Sequence, residues 1–384
     1  MISSMLLVLA QAASPSSSTR NDIVVTGRRA EQSLAECLAL DCPPAKDIEM
    51  SLQASVEQFA DGRYADARST LLKAIQRNRD HAADLPSPVS SLYATLATVA
   101  EHMGDTTLWL ESARNNVNLL RRYLGETNVA TLKQELSLGD DMVGMGKPSM
   151  AFSTYHDIQR KASEAGHSDI AAGAAFRRAW LALTLRRDRE AKQFADEAVA
   201  LAGVNARLMV DLRDILRTRI AIRHGEQGAV DALAEKLRQS SDKAPTLIFA
   251  PPINDVNQVS QGIEADLWHD SEIRLADVGF WIRPDGRTSD IEILRNSGLG
   301  QWQPGVLNQI KERRYVPFDA EPGYPGNYRV ERFTIRAEDG VPTGSHIKRR
   351  IGKLTVHVID LTETDAITAA HRERAREALV SPDA

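Results

Sequence analysis

The sequence predicts two architectures in one chain: an α-helical repeat array over 46–240, then a small α+β domain with an antiparallel sheet over 263–340. Three observations predict it. Gly62, Gly104 and Gly146 stand 42 residues apart in a half of the chain rich in Ala and Leu, and such a period marks a stacked repeat. Composition then changes at 244: no proline falls between Ser149 and Ala244, whereas nine of the 16 lie between Pro245 and Pro342. Finally, apolar residues alternate with period two on both sides of Pro284-Asp285-Gly286, which reads as a β-hairpin around a tight turn.

Composition bounds the functional classes. With 384 residues, 42% hydrophobic and 26% charged, the chain is an ordinary globular protein of more than one domain rather than a disordered or fibrous one. Its 47 basic and 52 acidic residues, a net charge of -5 and the absence of any long basic block argue against nucleic acid as a partner.

Taken in order, the chain opens with an apolar run, Met5 to Ala10, followed by Gln11, Ala12, Ala13 and the polar Ser14 to Arg20. That is the order of a short signal-peptide core and cleavage site, so 1–13 is expected to be an export signal, although no Lys or Arg precedes it. The run is far shorter than the ~20 residues that span a bilayer, and no integral membrane segment is expected elsewhere. A flexible segment is expected over 14–45. It holds Cys37 and Cys42, the two cysteines of the chain: a local disulfide in an oxidising compartment, or two unpaired thiols in a loop.

Each repeat reads as a helical hairpin. Gly62-Arg63-Tyr64 with Ala67 and Ala74, the turns at Gly104 and Gly146, Arg186 to Arg189 with Ala191 and Ala198, and Gly225 mark four or five units. Leu92, Leu96, Val99 and Met103 step by four, three and four, giving one apolar stripe per helix. A lone hairpin cannot bury two stripes, so the units must stack. The pattern resembles tetratricopeptide repeats, and Leu124 to Leu132 is similar to the connection in the longer kinesin-light-chain type. That resemblance implies a concave face that binds proteins or peptides; the plainer use is as a spacer or dimerisation surface.

A linker is expected over 241–262. Beyond it, Val278, Phe280 and Ile282 form one strand and Asp290 to Arg295 the next; Trp302, Val306 and Ile310 mark a short helix, and Tyr328 to Ile335 a third strand. The Asp285-Gly286-Arg287 turn, Ser297-Gly298, the Arg313-x-Tyr315-x-Pro317 run and the last strand, in that order, resemble the TonB C-terminal domain. In that family the last strand takes up an extended receptor segment, the TonB box, by strand addition. The resemblance therefore implies Tyr328, Arg329, Val330, Glu331, Arg332, Phe333, Thr334 and Ile335 as a partner-binding edge strand, with an outer-membrane receptor as partner. Asn21 to Arg29, containing Ile-Val-Val-Thr-Gly-Arg-Arg, is similar to the TonB-box region of such receptors. The family's membrane anchor and Pro-rich spacer are replaced here by the repeat array. An extra strand, Ile351 to Leu361, could cover the edge, and Ala366 to Leu379 reads as an exposed helix within 341–384.

No catalytic constellation emerges. Gly144 to Ser149 lacks the residues of a phosphate loop, the nine histidines are scattered without metal-ligand spacing, His102 reads as a capping or packing residue, and Asp140-Asp141 as a helix end. The expectation is a non-enzymatic periplasmic protein-interaction protein of a Gram-negative bacterium, without cofactor or metal. The alternative is an envelope adaptor whose C-terminal domain binds peptidoglycan or forms a homo-oligomer.

Overall fold

The computed structural model describes residues 29–203, 206–226, 228–237, 239–240, 245–253, 273–340, 344, 346 and 349–362. The signal segment 1–13, Asn21 to Arg28 and the helix expected over 366–379 lie outside them. Helix α1 (Arg29–Ala39) lies in the segment expected to be flexible, and Cys37 in its last turn forms a disulfide with Cys42 in the loop that follows, with Cα atoms 5.2 Å apart. Ten more helices then pair as hairpins: α2 (Pro44–Ala60) with α3 (Tyr64–Asn78), α4 (Pro86–Met103) with α5 (Thr106–Leu124), and α6 (Val129–Gly144) with α7 (Pro148–Glu164). The series continues with α8 (Ser168–Thr184) and α9 (Asp188–Leu201), then α10 (Ala206–Arg223) and α11 (Ala229–Lys236).

The turns sit where the glycines stand. Gly104 closes α4 with φ +83°, a left-handed conformation that only glycine adopts without penalty. The fourth turn has no glycine, and Arg186 takes φ +59° instead. Ala67, Ala74, Ala151, Ala191 and Ala198 are fully buried, because small side chains let paired helices approach. Helix α8 departs from the one-stripe expectation. Thirteen of its 17 residues are buried, since neighbouring hairpins enclose it from every side.

The second architecture is a four-stranded antiparallel sheet, β3 (Arg274–Ile282), β4 (Thr288–Asn296), β7 (Asn327–Gly340) and β8 (Arg349–Asp360), in the order β4-β3-β7-β8. Helix α12 (Gln303–Lys311) follows β4, so the strand, turn, strand, helix, strand order is present. Short pairs flank it: β1 (Gln239–Ser240) runs parallel to β6 (Phe318–Asp319), and β2 (Leu247–Phe249) antiparallel to β5 (Arg314–Tyr315). The expected linker thus contains a docked strand. Ile248 is buried in the same apolar cluster as the later repeats.

Alternation gives the sheet two buried faces. Val278, Phe280, Ile282, Phe333 and Ile335 pack beneath Trp302, Val306 and Ile310 of the α12 region. Leu275 and Val330 on the other face join Phe59, Tyr64, Leu71, Leu92 and Leu96 in a core shared with the first two hairpins. The composition break at 244 therefore marks a change of architecture; two of the three apolar clusters cross it, and the third belongs to the sheet and its helix alone.

Candidate functional site

The predicted edge strand is an interior strand. Residues Asn327 to Ile335 pair with β3, and Glu331 to Gly340 pair with β8. Val330 donates its N–H to Thr362 Oγ1 at 3.0 Å and accepts from the Leu361 N–H at 2.8 Å. The extra strand has taken the place that a guest segment would need, so strand addition at Tyr328 to Ile335 requires displacement of β8.

Every side chain of that run is engaged. Tyr328 donates to Glu292 at 2.8 Å and packs edge-on against Trp281. Arg329 pairs with Glu331 and Asp360, and Glu331 accepts from Arg313 at 2.9 Å. The Arg313-x-Tyr315 motif thus ties the end of α12 to β7, with the Arg313 guanidinium over the Phe280 and Phe333 rings. Phe333 and Ile335 lie in the α12-side core.

On the opposite face Arg332 is fully buried, grips Asp277 with two bonds of 2.6 and 2.8 Å, and donates to the Phe59 and Ala60 carbonyls at 2.5 Å each. Arg295 also reaches the Ala60 carbonyl, at 2.7 Å, and Arg336 donates to the Glu101 carbonyl at 2.8 Å. These are carbonyls in the last turns of α2 and α4, which lack a full set of helical partners and carry the negative end of the helix dipole. Phe59 and Glu101 accept cap N–H bonds from Gly62 and Gly104, and three arginines of the sheet supply further donors to these carbonyls and to that of Ala60.

This docking brings β8 against the inner side of α4, α5 and α6 and encloses a cavity of about 370 Å³. Its helical walls carry Glu101, Trp109, Asn116, Gln134, Ser137 and Asp141, interspersed with Ala97, Ala113 and Leu138; His357 to Asp360 close it. Glu101 Oε1 lies 3.0 Å from His357 Nδ1. Burial alone would raise the Glu101 pKa, but this bond and the nearby positive charges hold it below the usual carboxylate range. Burial, together with the charges of Glu101 and Asp140, raises the Asp141 carboxyl well above that range, with the nearby Trp109 indole opposing the shift.

His102 has its Nδ1 2.9 Å from Thr334 Oγ1 and its ring edge-on to Phe59. Burial pushes its pKa down to about 3. Asp140 faces away from the cavity, bonded to Arg177 at 3.0 Å and Tyr155 at 2.6 Å. Of the residues noted in the sequence, His102 and Asp141 reach the cavity. Glu101, Trp109, Gln134 and His357 were missed. A trace of the site was there to find: Gln134, Ser137 and Asp141 step by three and four along α6, a polar stripe beside its apolar one.

Among the described residues, no group of His, Cys, Asp and Glu is placed to hold a metal, and no helix is long and apolar enough to cross a membrane. No protein-family model matches the sequence, and no curated protein matches it. Among solved structures, the chain is similar to BtubC (BKLC) from P. vanneervenii at 14% identity and TM-score 0.44, covering 54% of this chain and 86% of that one. It is also similar to the apo form of RapI, at 10% identity and TM-score 0.44, over 54% of this chain and 57% of that one. A Rap protein complexed with competence and sporulation factor gives 12% identity and TM-score 0.36, over 50% and 53%. The chain thus spans little more than half the length of either Rap structure, and overlaps of this depth carry no statement about function.

Proposed function

We propose that this chain is a non-enzymatic scaffold that binds an extended segment of a partner protein in the groove between α4–α6 and β8, and that it works in the periplasm. The observation that carries this reading is the cavity itself. It lies where helical hairpins meet a sheet, and polar side chains from four elements converge on it, as in pockets that fix the orientation of a ligand. The Cys37–Cys42 disulfide supports an oxidising compartment. The TonB-like order of strands and helix points to an outer-membrane receptor as the source of the segment. With β8 paired to β7, that segment is assigned to the groove rather than to Tyr328 to Ile335.

Photo-crosslinking tests this. A crosslinking residue in place of the exposed Ser137 should yield an adduct that mass spectrometry maps to one defined segment of a partner, whereas one in place of Leu208 on α10 should not. Equal adducts at both positions, or none at Ser137, would reject the groove.

A further inference from the structure

The groove's chemistry specifies what kind of side chain anchors in it. We propose that it receives one cationic side chain, lysine or arginine, of the partner segment, with the charge held at Asp141 and Glu101 and the aliphatic stem lying along Ala97, Ala113 and Leu138. This rests on the groove being the binding site.

Three features of the cavity carry the inference. First, its charges are unbalanced. Glu101, Asp141 and Asp360 line it; Asp360 is paired with Arg329 and Glu101 with His357, but among the described residues no ion pair serves Asp141. The nearby Arg336 is committed to the Glu101 carbonyl and Thr355. An anionic ligand would meet three carboxylates, and an apolar one would strip water from Asp141 without replacing it, which is costly for a buried polar group.

Second, the wall beside Asp141 suits a cation. Trp109, which lines the cavity with Asp141, offers the ring type on which cations rest best. Burial and the neighbouring charges of Glu101 and Asp140 raise the Asp141 pKa, and an arriving ammonium or guanidinium would oppose that shift. Third, about 370 Å³ lies at the small end of ligand pockets. One long side chain fits there and a helix does not. Asn116 donates to Gln134 Oε1 at 2.6 Å, so it is the Gln134 NH2 that would donate to a guest backbone.

The test uses the full chain and capped pentapeptides, Ala-Ala-X-Ala-Ala, with X as arginine, lysine, norleucine or glutamate. Binding is read from the Trp109 indole resonance, assigned with a Trp109→Phe variant. Arginine and lysine peptides should shift it, norleucine and glutamate peptides should bind at least tenfold more weakly, and Asp141→Asn should weaken the basic peptides about tenfold. Ser137→Lys provides a second variant: its own ammonium would occupy the groove and abolish binding without touching the core. If norleucine or glutamate peptides bind as well as the basic ones, the cationic anchor is refuted and the groove stands. Silence from all four peptides would refute both.

Discussion

Acid should loosen the joint between helices and sheet through His102, by an amount that can be worked out. His102 lies between Phe59, Tyr64 and His357, with Thr334 at its Nδ1. The charged groups facing it are Glu101 on its own helix, Arg332 and Arg336 of β7, and His357 of β8. Burial, with the cationic neighbours outweighing part of the help from Glu101, moves its pKa from 6.5 to about 3. The sign follows from linkage. Below pH 6.5 the unfolded chain takes up a proton that the folded one refuses, so stability is complete above that value and drains away as pH falls toward 3. At pH 5 the loss is about 2 kcal/mol, a large part of a typical 5–15 kcal/mol total. Other groups titrate in the same window, so the useful quantity is a difference. Wild type and His102→Gln are unfolded in urea at pH 7 and pH 5; wild type should lose about 2 kcal/mol relative to the variant. A difference that stays constant between the two pH values would show that His102 titrates normally, and would refute its burial as a neutral ring.

Replacing Arg332 with methionine leaves Asp277 buried with only the longer, 3.7 Å contact to Arg295, and should cost about 3 kcal/mol in chemical denaturation; adding Asp277→Leu should recover much of that loss. Gly146→Ala should cost about 1 kcal/mol for its positive φ alone, because nothing lies within 4 Å of the added methyl. Gly104→Ala should cost clearly more, since there the methyl would sit 2.9 Å from the Ala337 carbonyl oxygen. Reduction of Cys37–Cys42, which closes a loop of only a few residues, should lower stability by about 2 kcal/mol and the melting temperature accordingly.

The helical hairpins were legible because each turn leaves a chemical mark, either a glycine or, after Arg186, the alanines on which the next helix closes. The hairpin at Pro284-Asp285-Gly286 was legible for the same reason, and there the glycine is compulsory: a Cβ would stand 2.1 Å from the Tyr315 carbonyl oxygen. The place of β7 within its sheet was left open: Ile351 to Leu361 read as a strand able to cover it, and β8 does so. Period-two alternation tells which residues share a face but not which strands lie on either side, and pairing with β8 depends on residues some twenty positions further on. Arginine at 329 and 332 and glutamate at 331 also suggest a half-solvated strand, yet Glu331 and Arg332 are at most 4% exposed. Ion pairs, not water, satisfy them.

The same arginines explain how two compositionally distinct regions come to share an apolar cluster and why the candidate site lies between them. A helix end left in apolar surroundings would strand its last carbonyls, so the sheet can cover the ends of α2 and α4 only by bringing donors with it. Arg295, Arg332 and Arg336 are those donors, spaced across β4 and β7 to meet Phe59, Ala60 and Glu101. Glu101 then has two tasks: its carbonyl oxygen fastens the sheet through Arg336, while its carboxylate, held by His357, forms a wall of the cavity. The contact that docks the sheet therefore also sets the width and charge of the groove, so a ligand reaching Glu101 acts on the joint between the two architectures as well as on the pocket.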